Sequence, residues 1–362
     1  MTPASSNPNK GNAFGLVRLV LAGAVVYAHG FYLIGARPID PLSLAGIDQV
    51  GIATLAVAAF FALSGMLVTP SFERTNSIFR FAWHRIVRIY PALLAALILT
   101  ALALVPMTFL SNGSVPDFGT YIRHSLAYIW QNLLVPNSAP RIPGQLNANP
   151  VSDFTNASMW TLRYELTGYA LVGIFGLLGL LGRWKAILWI GFGIGCLIAT
   201  YDSLQPENMD RWFFRSEGKF MILIAVGGMV WATLPSSAKT ILGSPSVVGL
   251  LAFGCFGLLH TELWSVGLAV TAAPILHFVG HRLPFTKWEK TVGGDYSYGI
   301  YILHYPVQQC LLSIGLSTLN PWLFLGISAA VALGLAVLSW RWIEKPSLAL
   351  KHWSPFSAAT SN

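Results

Sequence analysis

Apolar runs close to the ~20 residues that cross a hydrocarbon core recur from one end of this chain to the other. The first, Phe14 to Ile34, reads FGLVRLVLAGAVVYAHGFYLI. Others lie at 50–69, 86–106, 162–181, 186–201, 219–234, 242–258, 263–280, 296–315 and 320–340. Of the 362 residues 54% are hydrophobic and only 10% charged, whereas a soluble domain is about one quarter charged. So few charges cannot cover a soluble surface. The expected fold class is all-α, a polytopic membrane helical bundle of about ten transmembrane helices. Residues 1–12 are expected to form a disordered cytoplasmic tail, 13–346 one membrane domain and 347–362 a second cytoplasmic tail. The first apolar run is long and has no clear small-residue cleavage site, so no cleavable signal is expected. Cys196, Cys255 and Cys310 all fall inside apolar runs and read as small buried hydrophobes, with neither a disulfide nor a metal site implied.

Basic residues orient the bundle. With Lys10 in the cytoplasm, Arg74, Arg80, Arg85 and Arg88 follow the second span on the same side. If 121–135 (YIRHSLAYIWQNLLV) does not cross, Arg183, Lys185, Lys239, Arg282, Lys287, Lys290, Arg341, Lys345 and Lys351 all fall inside too. If it does cross, every later basic loop moves to the outside, against the positive-inside rule. Both termini are therefore expected in the cytoplasm, with 121–135 interfacial or re-entrant on the outer side. The net charge of +8 thus reports topology, and no nucleic-acid partner is implied.

Polar residues at membrane depth are functional candidates. Arg18 and His29 stand eleven residues apart, about three helical turns plus ~20°, so they share one face about 16 Å apart. Either alone has a plain explanation, a snorkelling anchor for Arg18 and an interhelical hydrogen bond for His29. Together on an otherwise uncharged helix they mark a polar track. Ser64 and Gly65 close FFALSG (60–65), where small residues also serve close helix packing. In WHRIVRIYP (83–91) Arg85 and Arg88 are three apart, on neighbouring rows of one helix surface. They serve as topology anchors, bind anionic headgroups, or cradle a phosphorylated ligand. SMWTLRYELTGY (158–169) places Trp160 at the outer interface and Glu165 about 7 Å deeper. There a Glu165–His29 contact is geometrically open and would orient the imidazole. YSYGIYILHYP (296–306) carries His304 near mid-membrane, with Tyr298, Tyr301 and Tyr305 around it and Pro306 after it. The chain has neither an H-E-x-x-H nor a P-loop pattern, and no G-x-S-x-G. No metal is expected.

In this order the stretches resemble the acyltransferase-3 family of bacterial integral-membrane acyltransferases, of the surface-polysaccharide O-acetyltransferase type. The resemblance rests on Arg18 and His29 as R-x10-H, FFALSG, R-x-x-R-I-x-P at 85–91, WTLRYE at 160–165, YSYGIYILHYP, and RWIEKP at 341–346. It implies an acyl-CoA co-substrate from the cytoplasm, acetyl-CoA foremost, with no bound cofactor. It implies a glycan or glycolipid acceptor on the far side of a bacterial inner membrane. It also implies that Arg18 and His29 are essential, with His29 catalytic, and that Arg85 and Arg88 help hold the coenzyme; from the helix geometry Glu165 is expected to orient His29, and Arg18 to bind the donor along its path. Ser64, Trp160, Tyr298 and His304 are placed along the channel or acceptor side. Many members have an acidic residue three before the Arg, where this chain has Gly15, so Arg18 lacks that local partner. The chain is expected to work without the fused esterase-like domain of some members. From another class, a flippase moving a lipid-linked sugar without chemistry fits the same spans. A small-molecule or lipid acceptor is a further alternative.

Overall fold

A computed structural model describes residues 12–35, 40–75, 77–104, 106, 117–143, 146, 149–205, 217–282 and 294–351. Of the expected tails at 1–12 and 347–362, residues 1–11, with Lys10, and 352–362 lie outside the described residues, as do the basic positions Lys287 and Lys290. The described residues form helices and loops, with no strand among them. In chain order the helices are α1 Phe14–Leu33, α2 Pro41–Leu44, α3 Ile52–Thr75, α4 Ile78–Leu99, α5 Phe118–Leu134, α6 Trp160–Leu177 and α7 Lys185–Ser203. They continue as α8 Glu217–Thr233, α9 Ser236–Leu242, α10 Pro245–Leu259, α11 Trp264–Arg282, α12 Ser297–Ser313, α13 Pro321–Ser339 and α14 Lys345–Ala349.

Every expected span falls on a helix, but the helices differ in kind. Among the described residues six are long and apolar enough to cross a membrane: Phe14–Leu33, Ile52–Thr75, Ile78–Ala103, Lys185–Ser203, Trp264–Arg282 and Pro321–Ala349. A seventh arises if Gly218–Thr233 and Ser236–Leu242, bent by 119° at their junction, count as one. The others expected to cross are shorter or more polar. α10 has 15 residues and α12 has 17, and α6 carries Arg163 and Glu165 in its first two turns. The segment 121–135 lies within α5, whose start is capped by Asp117 accepting from the Thr120 amide at 2.9 Å.

The outward faces are apolar. On α7 and α10, Leu197 is 71%, Leu250 72% and Phe253 79% exposed. Helices that are hydrophobic all round belong in a core or a membrane, and a soluble monomer does not expose so much apolar surface. The chain is an integral membrane protein.

Two helices organise the interior. α3 packs against α1, α4, α6, α8 and α11. Its approach to α8 is close because both helices present glycine: a Cβ on Gly65 would lie 2.0 Å from the Ala225 carbonyl oxygen, and one on Gly228 2.3 Å from that of Ala62. The other is α12, buried along nearly its whole length, polar residues His304, Gln308 and Gln309 included. Buried polar groups need partners, and α12 finds them off-helix. Gln308 Nε2 donates to the Val26 carbonyl at 2.9 Å, while Gln309 Nε2 donates to those of Val151 (2.8 Å) and Phe154 (3.0 Å). Pro306 has no N–H to give the carbonyl four residues back. That carbonyl, of Ile302, instead accepts from Asn156 Nδ2 at 2.8 Å. The 136–158 loop is thereby fastened to α12, and Thr155, Asn156, Ser158 and Met159 are all buried.

Candidate active site

α1, α3, α4, α6 and α12 enclose a cavity of about 200 Å³. Six of the nine residues proposed from sequence line it: Arg18, Ser64, Arg85, Arg88, Glu165 and Tyr298. Thr161, Tyr169, Ser297 and Tyr301 complete its polar wall, with apolar residues of α3 opposite. His29, His304 and Trp160 are not among the lining residues. Trp160 packs edge-on against Tyr164, ring centres 5.9 Å apart.

Three guanidiniums converge on the cavity, and carboxylates hold two of them. Arg18 and Arg88 share Asp295 Oδ2, at 3.1 and 2.7 Å. Arg88 also lies 3.9 Å from Glu344. Asp295 is in the loop leading into α12, where Ser297 Oγ donates to its other oxygen at 2.6 Å. Burial pushes its carboxyl up, but Arg18 and Arg88 outweigh that and hold it below the ordinary carboxylate value. Glu344 is 2% exposed, in a π turn, Trp340–Glu344, that ends α13. Ser339 Oγ donates to it at 3.1 Å. The acid that Gly15 does not supply thus comes from far along the chain. The RWIEKP stretch contributes a carboxylate at the cavity's back. The signal for this was a buried cation without a local partner, since such a charge must find one elsewhere.

Arg85 is different. No carboxylate lies within 4 Å of it among the described residues. Its guanidinium rests 5.5 Å from the Tyr169 ring centre and 5.8 Å from that of Phe81. It donates a long hydrogen bond to Ser71 Oγ at 3.4 Å. It is the cavity cation with most hydrogen-bonding capacity left for an anion.

The expected Glu165–His29 pairing is not formed. Glu165 accepts from the Tyr169 hydroxyl and lines the same cavity as the three arginines. The reason lies at the start of α6. That helix begins from a 3₁₀ turn, Ala157–Met159, whose Ser158 Oγ lies 3.4 Å from His304 Nε2. Glu165, seven residues beyond Ser158, is therefore about 10 Å further along the helix axis.

His29 meets His304 instead. His29 Nδ1 and His304 Nε2 are 2.8 Å apart, with ring centres 5.1 Å apart and planes 12° from parallel. Tyr305 stands edge-on to His29 at 5.2 Å. Ser158 Oγ lies 3.4 Å from His304 Nε2. His304 is fully buried, His29 only partly. The pair sits just past the inner end of the cavity. There Thr161 and Tyr301, hydroxyls 2.8 Å apart, are each about one helical turn from Ser158 and His304 respectively.

The model of the acyltransferase domain known as acyltransferase 3 matches residues 12–341. The chain belongs to the acyltransferase-3 family. It is 28% identical over 345 residues to a protein named O-acetyl transferase from Shigella phage Sf6, covering 93% of this chain and 96% of that one. It is 27% identical over 366 residues to Nodulation protein 10 of Rhizobium leguminosarum bv. viciae, covering 94% of each. No solved structure matches the chain. The acyltransferase-3 match ends just short of Glu344, the carboxylate that packs behind Arg88.

Proposed function

We propose that the protein is a membrane-embedded O-acyltransferase of the bacterial inner membrane. It takes an acyl group, acetyl foremost, from cytoplasmic acyl-CoA and places it on a hydroxyl of an extracytoplasmic glycan or lipid-linked sugar. The observation that carries this reading is one cavity lined by three arginines whose inner end lies a helical turn from a histidine pair. The name of the Sf6 relative, O-acetyl transferase, supports it. Ten crossings with both termini in the cytoplasm would put the arginine end on the donor side.

In this reading the phosphates of the coenzyme bind Arg85 first, as the cation least engaged by protein carboxylates, with Arg18 and Arg88 held beside it. The pantetheine arm runs along the cavity past Glu165 and Tyr298 toward His29. His29 takes the proton of the acceptor hydroxyl as that oxygen attacks the thioester carbonyl carbon. A C–O bond forms, the C–S bond breaks, and the departing thiolate takes the proton back from His29. Glu165, bonded to Tyr169, contributes to the cavity wall, so Glu165→Gln is expected to lose less activity than His29→Ala.

The test is release of free coenzyme thiol from acetyl-CoA by the protein in nanodiscs, with acetyl transfer to added glycolipid followed by mass spectrometry. His29→Ala is expected to insert normally, keep acetyl-CoA binding and lose transfer by about 10²–10⁴-fold. Near-normal transfer by His29→Ala would move the chemistry elsewhere. Glycolipid crossing the bilayer without thioester consumption would replace the enzyme with a flippase.

A further inference from the structure

We propose that His304 is the positioning residue that selects which nitrogen of His29 acts. This rests on His29 as the base, and it adds a direction to that base. The argument starts at the backbone. His304 Nδ1 lies 3.1 Å from the Ile300 carbonyl oxygen. A carbonyl only accepts, so the Nδ1 proton belongs to His304. His304 is completely buried, and among the described residues no carboxylate lies within 4 Å of it. An imidazolium there would be a buried, unpaired charge, so the ring is neutral and its Nε2 is an acceptor. The hydrogen bond of 2.8 Å to His29 then has one polarity: His29 Nδ1–H donates and His304 Nε2 accepts. A neutral His29 that carries its proton on Nδ1 has its lone pair on Nε2.

The consequence is a defined base. His29 Nε2 is the nitrogen that receives the acceptor's proton, and Nδ1 keeps its hydrogen throughout. When His29 becomes an imidazolium, His304 Nε2 is still an acceptor facing it, so the developing charge keeps its hydrogen bond. The hydrogen bond between the near-parallel rings, planes 12° apart, and the edge-on Tyr305 limit rotation of the His29 ring, which would otherwise exchange its two nitrogens. Ser158 Oγ, 3.4 Å from the same His304 nitrogen, is a second and weaker neighbour. The Ile300 carbonyl thus fixes His304, and His304 fixes His29.

The experiment compares His304→Leu, which removes the acceptor, with His304→Gln, whose side-chain oxygen reaches roughly the place of Nε2. Both are purified in nanodiscs beside wild type and His29→Ala, and insertion is checked by monodispersity. For His304→Leu, kcat for acetyl transfer is expected to fall at least about 10–100-fold, the cost of losing a group that orients a metal-ligating histidine. Its KM for acetyl-CoA should stay at the wild-type value. His304→Gln is expected to recover most of the kcat. Wild-type kcat in His304→Leu, or no recovery in a monodisperse His304→Gln, would overturn the assignment. The His29→Ala control reports separately on the reading beneath: if that variant transfers normally, the enzyme reading fails on its own.

Discussion

Gly65→Ala is the smallest change that should break this fold, and its cost can be worked from the geometry. The added methyl carbon would lie 2.0 Å from the Ala225 carbonyl oxygen, 2.9 Å from the Ala225 carbonyl carbon and 3.0 Å from the Met229 nitrogen. A carbon and a carbonyl oxygen rest at about 3.3 Å or more, so α3 and α8 must part by about 1.3 Å. All three obstacles are backbone, so no side chain can rotate away. The facing Gly228 resists adjustment, since its own methyl position is 2.3 Å from the Ala62 oxygen and 2.8 Å from the Met66 nitrogen. Overpacking costs about 1–3 kcal/mol and occasionally more, and a clash confined to backbone belongs at or above the top of that range. The assay is thermal unfolding in detergent followed by size-exclusion recovery of the monodisperse protein. Gly249→Ala in α10 is the control, since its methyl would meet nothing within 4 Å. It should match wild type or gain slightly from the lost backbone freedom. Transfer should fall in Gly65→Ala as well, because Ser64 beside it lines the cavity. A Gly65→Ala protein melting at the wild-type temperature would refute the close approach of α3 and α8.

Two further outcomes follow from the arginines and from the basic loops. Arg85→Ala should weaken acetyl-CoA binding by about 1.5–3 kcal/mol, the worth of a charge-assisted contact, while leaving unfolding nearly unchanged. Arg88→Ala should weaken binding and also lower stability, because it strands Glu344 and leaves Asp295 with Arg18 alone. Equal unfolding temperatures for the two variants would show that the carboxylates do not depend on Arg88. A reporter fused after Asn362 should be active only in the cytoplasm and one inserted near Asn147 only outside. The reverse result would mean that 121–135 crosses.

The polar residues of the site were legible one by one, because each interrupts an apolar run where a charge or hydroxyl needs a reason. Arg18, Arg85, Arg88, Glu165 and Tyr298 announce themselves in this way, and all five share a cavity wall. Their pairing was not legible. His29 and His304 are 275 positions apart, and helical periodicity says which face a residue occupies without saying which distant helix covers it. Glu165 was placed beside His29 on similar estimated depth alone. In the structure Ser158, at the start of α6, lies beside the His304 of the pair, and Glu165, seven residues on, meets Tyr169. Asp295 escaped notice since it lies in a loop, where an acid needs no explanation. Its meaning comes only from the two guanidiniums brought to it.

The place of Glu344 has a consequence for how the enzyme comes into being. α1 and α4, with Arg18 and Arg88, are made first, while the carboxylate behind Arg88 follows more than 250 residues later. The strap that follows it is tied to α4 by the Trp83 indole donating to the Leu350 carbonyl at 2.9 Å. A chain still under synthesis therefore has its arginines in the membrane long before it has their counter-charges. Its cationic mouth is first screened by whatever anions the lipid surface offers. Arg88 reaches its final arrangement only when the last turns dock, so a chain cut short at Trp340 should bring every proposed catalytic and donor residue to the bilayer and still fail as an enzyme.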